Sequence, residues 1–536
     1  MTMDEVYLKP NTVIEPLFKR WYAWSHLISP ATAAMNVVGR HMKIMDSYIQ
    51  APAIHAAAAR NAKMKGGPFM DYQENRVEDI KRLREATQMD QAAQIKLVAA
   101  IRELNALLKR EATGYGMEAL YDKVPASLKG YVELVYDLEN NPSFRLFEPL
   151  LYQSEYYDES AQSIALWITN NDERPFCLST PRLDEPHVLH LPMPFRAKEI
   201  DELASAKRKP ASYKHLADIF GITPAQEPLF RDLFVSTPPT PYNRYTGDKI
   251  RMRYFGHACI LIETNEVSIL LDPLISYYGY EHSISHYSDY DLPEKIDYVL
   301  ITHNHQDHIL FETLLPLRHK IGKLVVPRSG GGSLQDPSLE LMFRHTGFDQ
   351  VISVGEMENI QLEDNLVLTG IPFTGEHSDL DIRSKLCYHV KAGQFSILFV
   401  ADSRIVTPEL YHHIYRQTGD VDVIFLGMEC DGAPLSWLYG PLLQQDLARD
   451  KDASRRLSGS DYERGMHLVD IFHPKEIYVY AMGQEPWLEF ISSIKYTDES
   501  NPIVQSNKLI RECESKGIVA ERLYGEKELL YNYELV

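Results

Sequence analysis

Tyr298-Val-Leu-Ile301-Thr-His303-Asn-His305-Gln-Asp307-His308 sets four potential metal ligands within six residues, directly behind a short apolar run. Residues 298–301 read as a strand and 302–308 as a tight polar turn. Such a turn can aim the alternate side chains His303 and His305 at one ion. Asp307 and His308 come next on the turn and can aim at a second ion beside it. Imidazole nitrogen and carboxylate oxygen suit zinc, iron, manganese or cobalt. The bland alternative is a polar turn that gathered three histidines and an aspartate by chance, and the spacing argues against it.

Outward from this turn, the second half of the chain is rich in strands. Residues 250–255, 258–263 and 267–271 read as consecutive strands upstream. Downstream, strands at 324–326, 366–371, 395–400 and 421–426 alternate with helices near 334–345 and 408–416. Ser460 and Glu463 have the spacing of a capping box that opens a helix ending before Pro474, and 477–480 reads as the last strong strand. A strand-rich start followed by alternation predicts two sheets flanked by helices. Upstream, Pro238, Pro239 and Pro241 cannot sit inside a helix or central strand, so 236–247 reads as a linker. Before it, residues 78–110 carry Leu83, Ala86, Ile95, Val98, Ile101, Leu104 and Leu108 at threes and fours, the pattern of one long amphipathic helix. Residues 131–136 and 144–157 are rich in aromatic and aliphatic residues, and 163–168 reads as a strand. The expectation is therefore a mixed α and β domain over 1–235, a linker over 236–247 and a metal domain over 248–536. The first domain shows no ligand cluster or phosphate loop and reads as scaffold, dimer surface or partner dock.

Composition narrows the function classes. The chain has 536 residues, enough for two to four domains, with 44% hydrophobic and 24% charged residues. Its formal charge of −20 argues against a nucleic-acid binder, which needs a basic surface. No stretch approaches the length of a membrane helix. The opening MTMDEVYLKP lacks a basic segment followed by an apolar one, so no signal peptide is expected. Five scattered cysteines without a CxxC pair read as reduced thiols of a cytoplasmic protein.

The HxHxDH turn resembles that of the metallo-β-lactamase superfamily. Tyr254-Phe-Gly-His-Ala-Cys-Ile260 and Ile269-Leu-Leu-Asp-Pro273 are similar to that superfamily's opening strands. The resemblance implies an α/β fold, a C-terminal αββα metallo-β-lactamase-type sandwich, with a dinuclear site. Aligned with its hydrolases, Glu376 in Pro372-Phe-Thr-Gly-Glu-His377 stands where a further histidine is usual, and Asp402 in Phe399-Val-Ala-Asp-Ser403 is the bridging aspartate. The usual terminal histidine is missing from Ile477-Tyr-Val-Tyr-Ala-Met-Gly483, and His473 lies at the opposite end of that strand. The ligand set is then His303, His305, Asp307, His308, Glu376 and Asp402. Three carboxylates make it harder and more anionic than a zinc hydrolase site, and favour iron.

The whole chain resembles a narrower family, the diiron β-hydroxylases of chloramphenicol biosynthesis and related nonribosomal peptide pathways. The match is carried by Trp21-Tyr-Ala-Trp-Ser25, Phe144-Arg-Leu-Phe-Glu-Pro-Leu-Leu-Tyr152 and the histidine turn. Gly330-Gly-Gly-Ser-Leu-Gln-Asp-Pro337, Gly427-Met-Glu-Cys430 and Tyr480-Ala-Met-Gly-Gln-Glu-Pro-Trp487 extend it. It implies a monooxygenase that hydroxylates the β carbon of an amino acid tethered to a carrier domain. It also implies two iron ions, dioxygen as co-substrate, an external electron donor (a reductase or ferredoxin-like protein) and a homodimer. His303, His305 and Glu376 would hold one iron, Asp307 and His308 the other, with Asp402 bridging. The rival readings are a dinuclear zinc hydrolase of esters, lactones, thioesters or phosphodiesters, and a metal-stabilised scaffold.

Other residues have two readings each. Glu429 is a candidate gating carboxylate or a loop cap. His257 reads as a structural hydrogen-bond donor to the site loop rather than a ligand. His377 can orient Glu376, and Asp272 can hold a metal-binding histidine. Gly330, Gly331 and Gly332 read as a flexible loop. The basic runs Lys207-Arg-Lys209 and Arg455-Arg456 stand out in an acidic chain and are candidates to dock an anionic carrier, although solvated charge is the commoner meaning of such runs.

Overall fold

The apolar runs around the histidine turn form the middle of two facing sheets in the computed structural model, which describes residues 5–171, 173–279 and 284–532. The outermost ends of both expected domains, 1–4 and 533–536, lie outside the described residues, and so does the start of the segment read for a signal peptide. In the first seven-stranded sheet, Val351–Val354, Ile321–Pro327, Ile296–Leu300 and Ser268–Leu271 run parallel. Ile260–Glu263, Ile250–Tyr254 and Lys527–Tyr531 continue it antiparallel. The second seven-stranded sheet runs Asn359–Glu363, Leu366–Pro372, Leu386–Ala392, Phe395–Phe399, Val423–Gly427, Glu476–Tyr480, Val519–Arg522. Its last four strands are parallel.

The inner strands read as continuous apolar runs because both of their faces are buried. Tyr298 and Leu300 point between the sheets, where they meet Leu368, Tyr388, Phe399 and Phe425. Val299 points outward, into a layer with Phe311 and Phe343 of the helices Phe311–Leu317 and Leu339–His345. The second sheet's outer face is covered by Pro408–Thr418, Tyr462–Phe472 and Asn501–Ser515. The result is the αββα sandwich.

Upstream, a four-stranded antiparallel sheet (Trp21–Tyr22, Thr12–Phe18, Gln162–Ile168, Leu189–Pro192) lies beside a helical group. Its core is shared with the sandwich: Trp21, Trp24 and Met45 cluster with Leu438, Tyr439 and Trp487. Polar joints fix the two parts. Arg40 donates to the carbonyls of Trp437 and Leu438, each at 2.9 Å. Glu148 accepts from the N–H of Gly332 and of Ser338.

Several local expectations are corrected. The long helix over 78–110 is two helices, Val77–Asp90 and Ala92–Glu111, broken at Gln91. Gln91 is fully buried and its amide reaches across to Asp158, so its backbone leaves the helical region. The cap of Tyr462–Phe472 is Asp461, because the Ser460 hydroxyl is spent on the Ser403 carbonyl. The glycine loop is pinned rather than free: a Cβ on Gly332 would lie 2.3 Å from the Leu146 carbonyl oxygen, and φ there is +84°. Two strands, Val519–Arg522 and Lys527–Tyr531, come after the expected last one. They are edge strands, half-solvated and charged, and so lack an apolar pattern. The Lys207 run is not a free basic patch: Lys207 is buried with its ammonium 3.0 Å from Asp289 Oδ2, Arg208 is half-buried against the Asp289 carbonyl, and only Lys209 is exposed.

Candidate metal centre

Each candidate residue stands just past the C-terminal end of a strand, on one edge of the sandwich. His257 comes after Ile250–Tyr254, Asp272 after Ser268–Leu271, and the histidine turn after Ile296–Leu300. From the facing sheet, Glu376 comes after Leu366–Pro372, Asp402 after Phe395–Phe399 and Glu429 after Val423–Gly427. Ligands bind at such strand ends in open α/β sheets because the chain leaves the sheet there and exposes side chains in one crevice. His257, Asp272, Glu376, Ala401 and Ala481 all have positive φ, between +36° and +62°. A left-handed turn of a residue with a side chain is strained, and its concentration here marks a functional edge.

Among the described residues three groups of donor atoms form, each with all atoms within 4.8 Å of one another: His303, His305 and Glu376; His303, His308 and Asp402; His257, Asp307 and His308. All six expected ligands are therefore brought together. His305 Nδ1 is 3.0 Å from Glu376 Oε1, and His303 Nε2 is 3.9 Å from Glu376 Oε2. Asp402 Oδ2 stands between the groups, 3.0 Å from His308 Nε2 and 3.8 Å from His303 Nε2. Atoms bound about 2.1 Å from one ion sit roughly 3.0–3.4 Å apart, so these spacings suit cations. His303 Nε2 and Asp402 Oδ1 are buried without a hydrogen-bond partner. Buried, unpaired lone pairs of this kind are costly unless something positive meets them, so the residues fit a metal pair.

The ligands are oriented from behind. Asp272 is fully buried. It accepts from Thr302 N (2.8 Å), Thr302 Oγ1 (2.6 Å) and His308 Nδ1 (2.8 Å), which turns His308 Nε2 toward Asp402. Thr302 Oγ1 is also 2.9 Å from His303 Nδ1. Tyr439 OH bonds His305 Nε2 at 2.9 Å, leaving Nδ1 to the centre. His377 Nδ1 lies 2.9 Å from Glu376 Oε2, the orienting contact expected. Gly427 has no room for a side chain: a Cβ would lie 2.5 Å from Asp402 Oδ1.

Charge accords with this geometry. Burial, first of all, lowers His303, so its imidazole is neutral and a ready ligand. Burial also opposes a charge on His308, but Asp402, Asp272 and Asp307 outweigh it and hold its pKa well above the usual range. Burial would raise Glu376, yet His305 and His377 bring it down to about 2.

His257 departs from expectation. Neither ring nitrogen has a hydrogen-bond partner, and Nε2 stands 3.4 Å from Asp307 Oδ2. Its carbonyl accepts from Ala481 N at 2.8 Å. Ala481 directly succeeds the strand Glu476–Tyr480, behind which a hydrolase's terminal histidine would stand, so His257 reaches from the other sheet into that corner. Glu429 caps its own loop. Its Oε1 accepts from Asp431 N (3.1 Å) and Gly432 N (2.7 Å), while Oε2 is unpaired beside the cavity. Burial pushes its carboxyl up to about 7. Tyr439 gave no sequence signal, since it lies 134 positions from its partner His305. His473 is exposed and paired with Asp420, away from the centre.

Comparison with known proteins agrees with this arrangement. Residues 7–238 match the family described as the diiron non-heme beta-hydroxylase N-terminal domain, and 251–432 match a beta-lactamase superfamily domain. The chain is 38% identical over 529 residues to the 4-amino-L-phenylalanyl-[CmlP-peptidyl-carrier-protein] 3-hydroxylase of Streptomyces venezuelae, covering 97% of this chain and 99% of that protein. The crystal structure of CmlA, a diiron beta-hydroxylase from Streptomyces venezuelae, superposes with a TM-score of 0.92 at 37% identity, over 98% of this chain and 99% of that one. A glutamate-to-aspartate variant of CmlA superposes with a TM-score of 0.90 at 36% identity, over the same shares.

Proposed function

The chain belongs to the diiron non-heme β-hydroxylases, and on that premise we propose that it hydroxylates the β carbon of an amino acid held as a thioester on a nonribosomal peptide synthetase carrier domain. One observation carries the reading: a buried set of histidines and three carboxylates, on a chain alike from end to end to a hydroxylase of a carrier-bound amino acid. His303, His305 and Glu376 would hold one iron, and Asp307 and His308 the other, with His257 in reach of the second and Asp402 shared. An iron pair held by these residues supplies, once reduced, the activation of dioxygen. One oxygen atom would enter the C–H bond, and the other would leave as water with two protons and two electrons, the electrons coming from a separate reductase or ferredoxin-like protein.

The chain's own residues hold and shield. Asp272 and Thr302 fix the histidine tautomers, and Tyr439 fixes His305. Trp437, Leu438, Leu457 and Met482 line the cavity over the centre and exclude water from the acyl group. Glu429 Oε2, raised to about 7, can hold a proton at neutral pH and gate the cavity. In this reading 1–235 serves partner docking and a homodimer, 236–247 links, and 248–536 carries the metals in a cytoplasmic enzyme.

The test is iron-loaded protein, a reductant and a loaded carrier under isotopically heavy dioxygen. Product heavier by one labelled oxygen atom at the β carbon supports the proposal. A zinc pair with ester turnover and no oxygen incorporation overturns it.

A further inference from the structure

The cavity that opens on the metal centre encloses about 540 Å³, within the range of ligand sites. Its floor is the buried His257, His305, Glu376 and Asp402. Its exposed rim includes Lys63, Met64, Asp431 and Arg456. The two ends differ in sign. The floor is anionic and suited to metals, while the rim sets two cations against one carboxylate, Asp431, whose Oδ1 accepts from Asn501 Nδ2, on a chain of net charge −20. Lys63 lies on the turn after the helix Pro52–Ala59, and its ammonium forms no ion pair among the described residues. Arg456 comes from the opposite side. Its Nε and Nη2 donate to the carbonyls of Asp431 and Gly432, which holds the guanidinium in place and leaves Nη1 open. Neighbouring Lys65 is already paired with Glu489. Of the two basic runs in the sequence, only the Arg456 run borders the cavity; Lys207 is buried against Asp289.

We propose that Lys63 and Arg456 bind the phosphodiester of a carrier's 4′-phosphopantetheine arm. This rests on the carrier-bound reading of the site. An arm entering with its thioester toward the floor carries one charge, at its far end, and that end emerges where the two cations stand. A held guanidinium and a free ammonium form charge-assisted bonds to phosphate oxygen. In an acidic chain such a local reversal of sign admits an anionic partner only at the mouth.

The probes are 4′-phosphopantetheine and pantetheine, titrated into the iron-loaded full-length protein by ligand-observed NMR. Broadening of the thiol-end protons by the ferric pair reports entry into the cavity. The phosphorylated probe should bind about tenfold more tightly, with the advantage shrinking in salt. Lys63→Glu with Arg456→Gln should erase the difference without changing iron content or pantetheine binding. Equal binding of both probes to the wild type, or an advantage that survives the substitutions, overturns the proposal and leaves the carrier-bound reading standing. Entry of neither probe overturns that reading itself, and the inference with it.

Discussion

Asp272→Asn changes one oxygen to an amide nitrogen in a fully buried position, where every partner of the lost oxygen is known. Asp272 Oδ1 accepts from Thr302 N, while Oδ2 accepts from both Thr302 Oγ1 and His308 Nδ1. An amide nitrogen in place of Oδ1 would face the Thr302 N–H, donor against donor. In place of Oδ2 it would face the His308 Nδ1–H, which must give up its proton to accept. The proton then sits on Nε2, the atom 3.0 Å from Asp402 and aimed at the second metal position. Either arrangement loses about one charge-assisted bond, worth roughly 1.5–3 kcal/mol. At the second position that is a loss of roughly 10- to 150-fold in metal affinity, in line with other orienting partners of metal ligands. The position built on His303, His305 and Glu376 should keep its affinity. The assay is cobalt(II) titration against a competing chelator, which resolves two successive equivalents, with denaturant unfolding of the metal-free protein as a control. Unchanged affinity at both positions, or an equal loss at both, refutes the tautomer argument.

Asp402→Ala removes the carboxylate proposed to bridge the two metal positions, so metal content should fall at both; full dinuclear occupancy by elemental analysis would contradict the bridging role. Glu376→His withdraws one negative charge, so zinc should compete better and oxidation of the diferrous protein should slow in stopped-flow mixing with dioxygen; an unchanged rate and unchanged hydroxylated product would show that this position does not set the chemistry. His308 gives a pH prediction. Its pKa is raised in the metal-free fold, so its contribution to stability is full below the unfolded value of about 6.5 and is lost as pH rises through the folded value. Metal binding must displace that proton, so affinity should rise with pH and metal addition should release about one proton per chain from His308, read by indicator dye in weak buffer; release independent of His308→Gln would count against it.

The turn at 302–308 and its preceding strand were legible because metal chemistry and sheet burial both leave local marks. Four ligands in six residues and unbroken apolar runs need no tertiary information. Asp402 and Glu376 were legible through family resemblance at strand ends. The break at Gln91 was not, because its cause is Asp158, 67 positions away. Nor was the pinning of Gly332, whose neighbour is Leu146. His257 shows the limit most clearly. In sequence it is one histidine before an apolar strand. Only the fold turns it, through a left-handed backbone and the Ala481 hydrogen bond, into the corner left empty by a missing terminal histidine. Likewise no local pattern joins Tyr439 to His305, or Lys63 to Arg456. The chain alone determines which side chains can bind metal, since that is set by their chemistry. Which of them share a centre is decided by two sheets bringing their strand ends to one edge, and that depends on long-range pairing that no short stretch encodes.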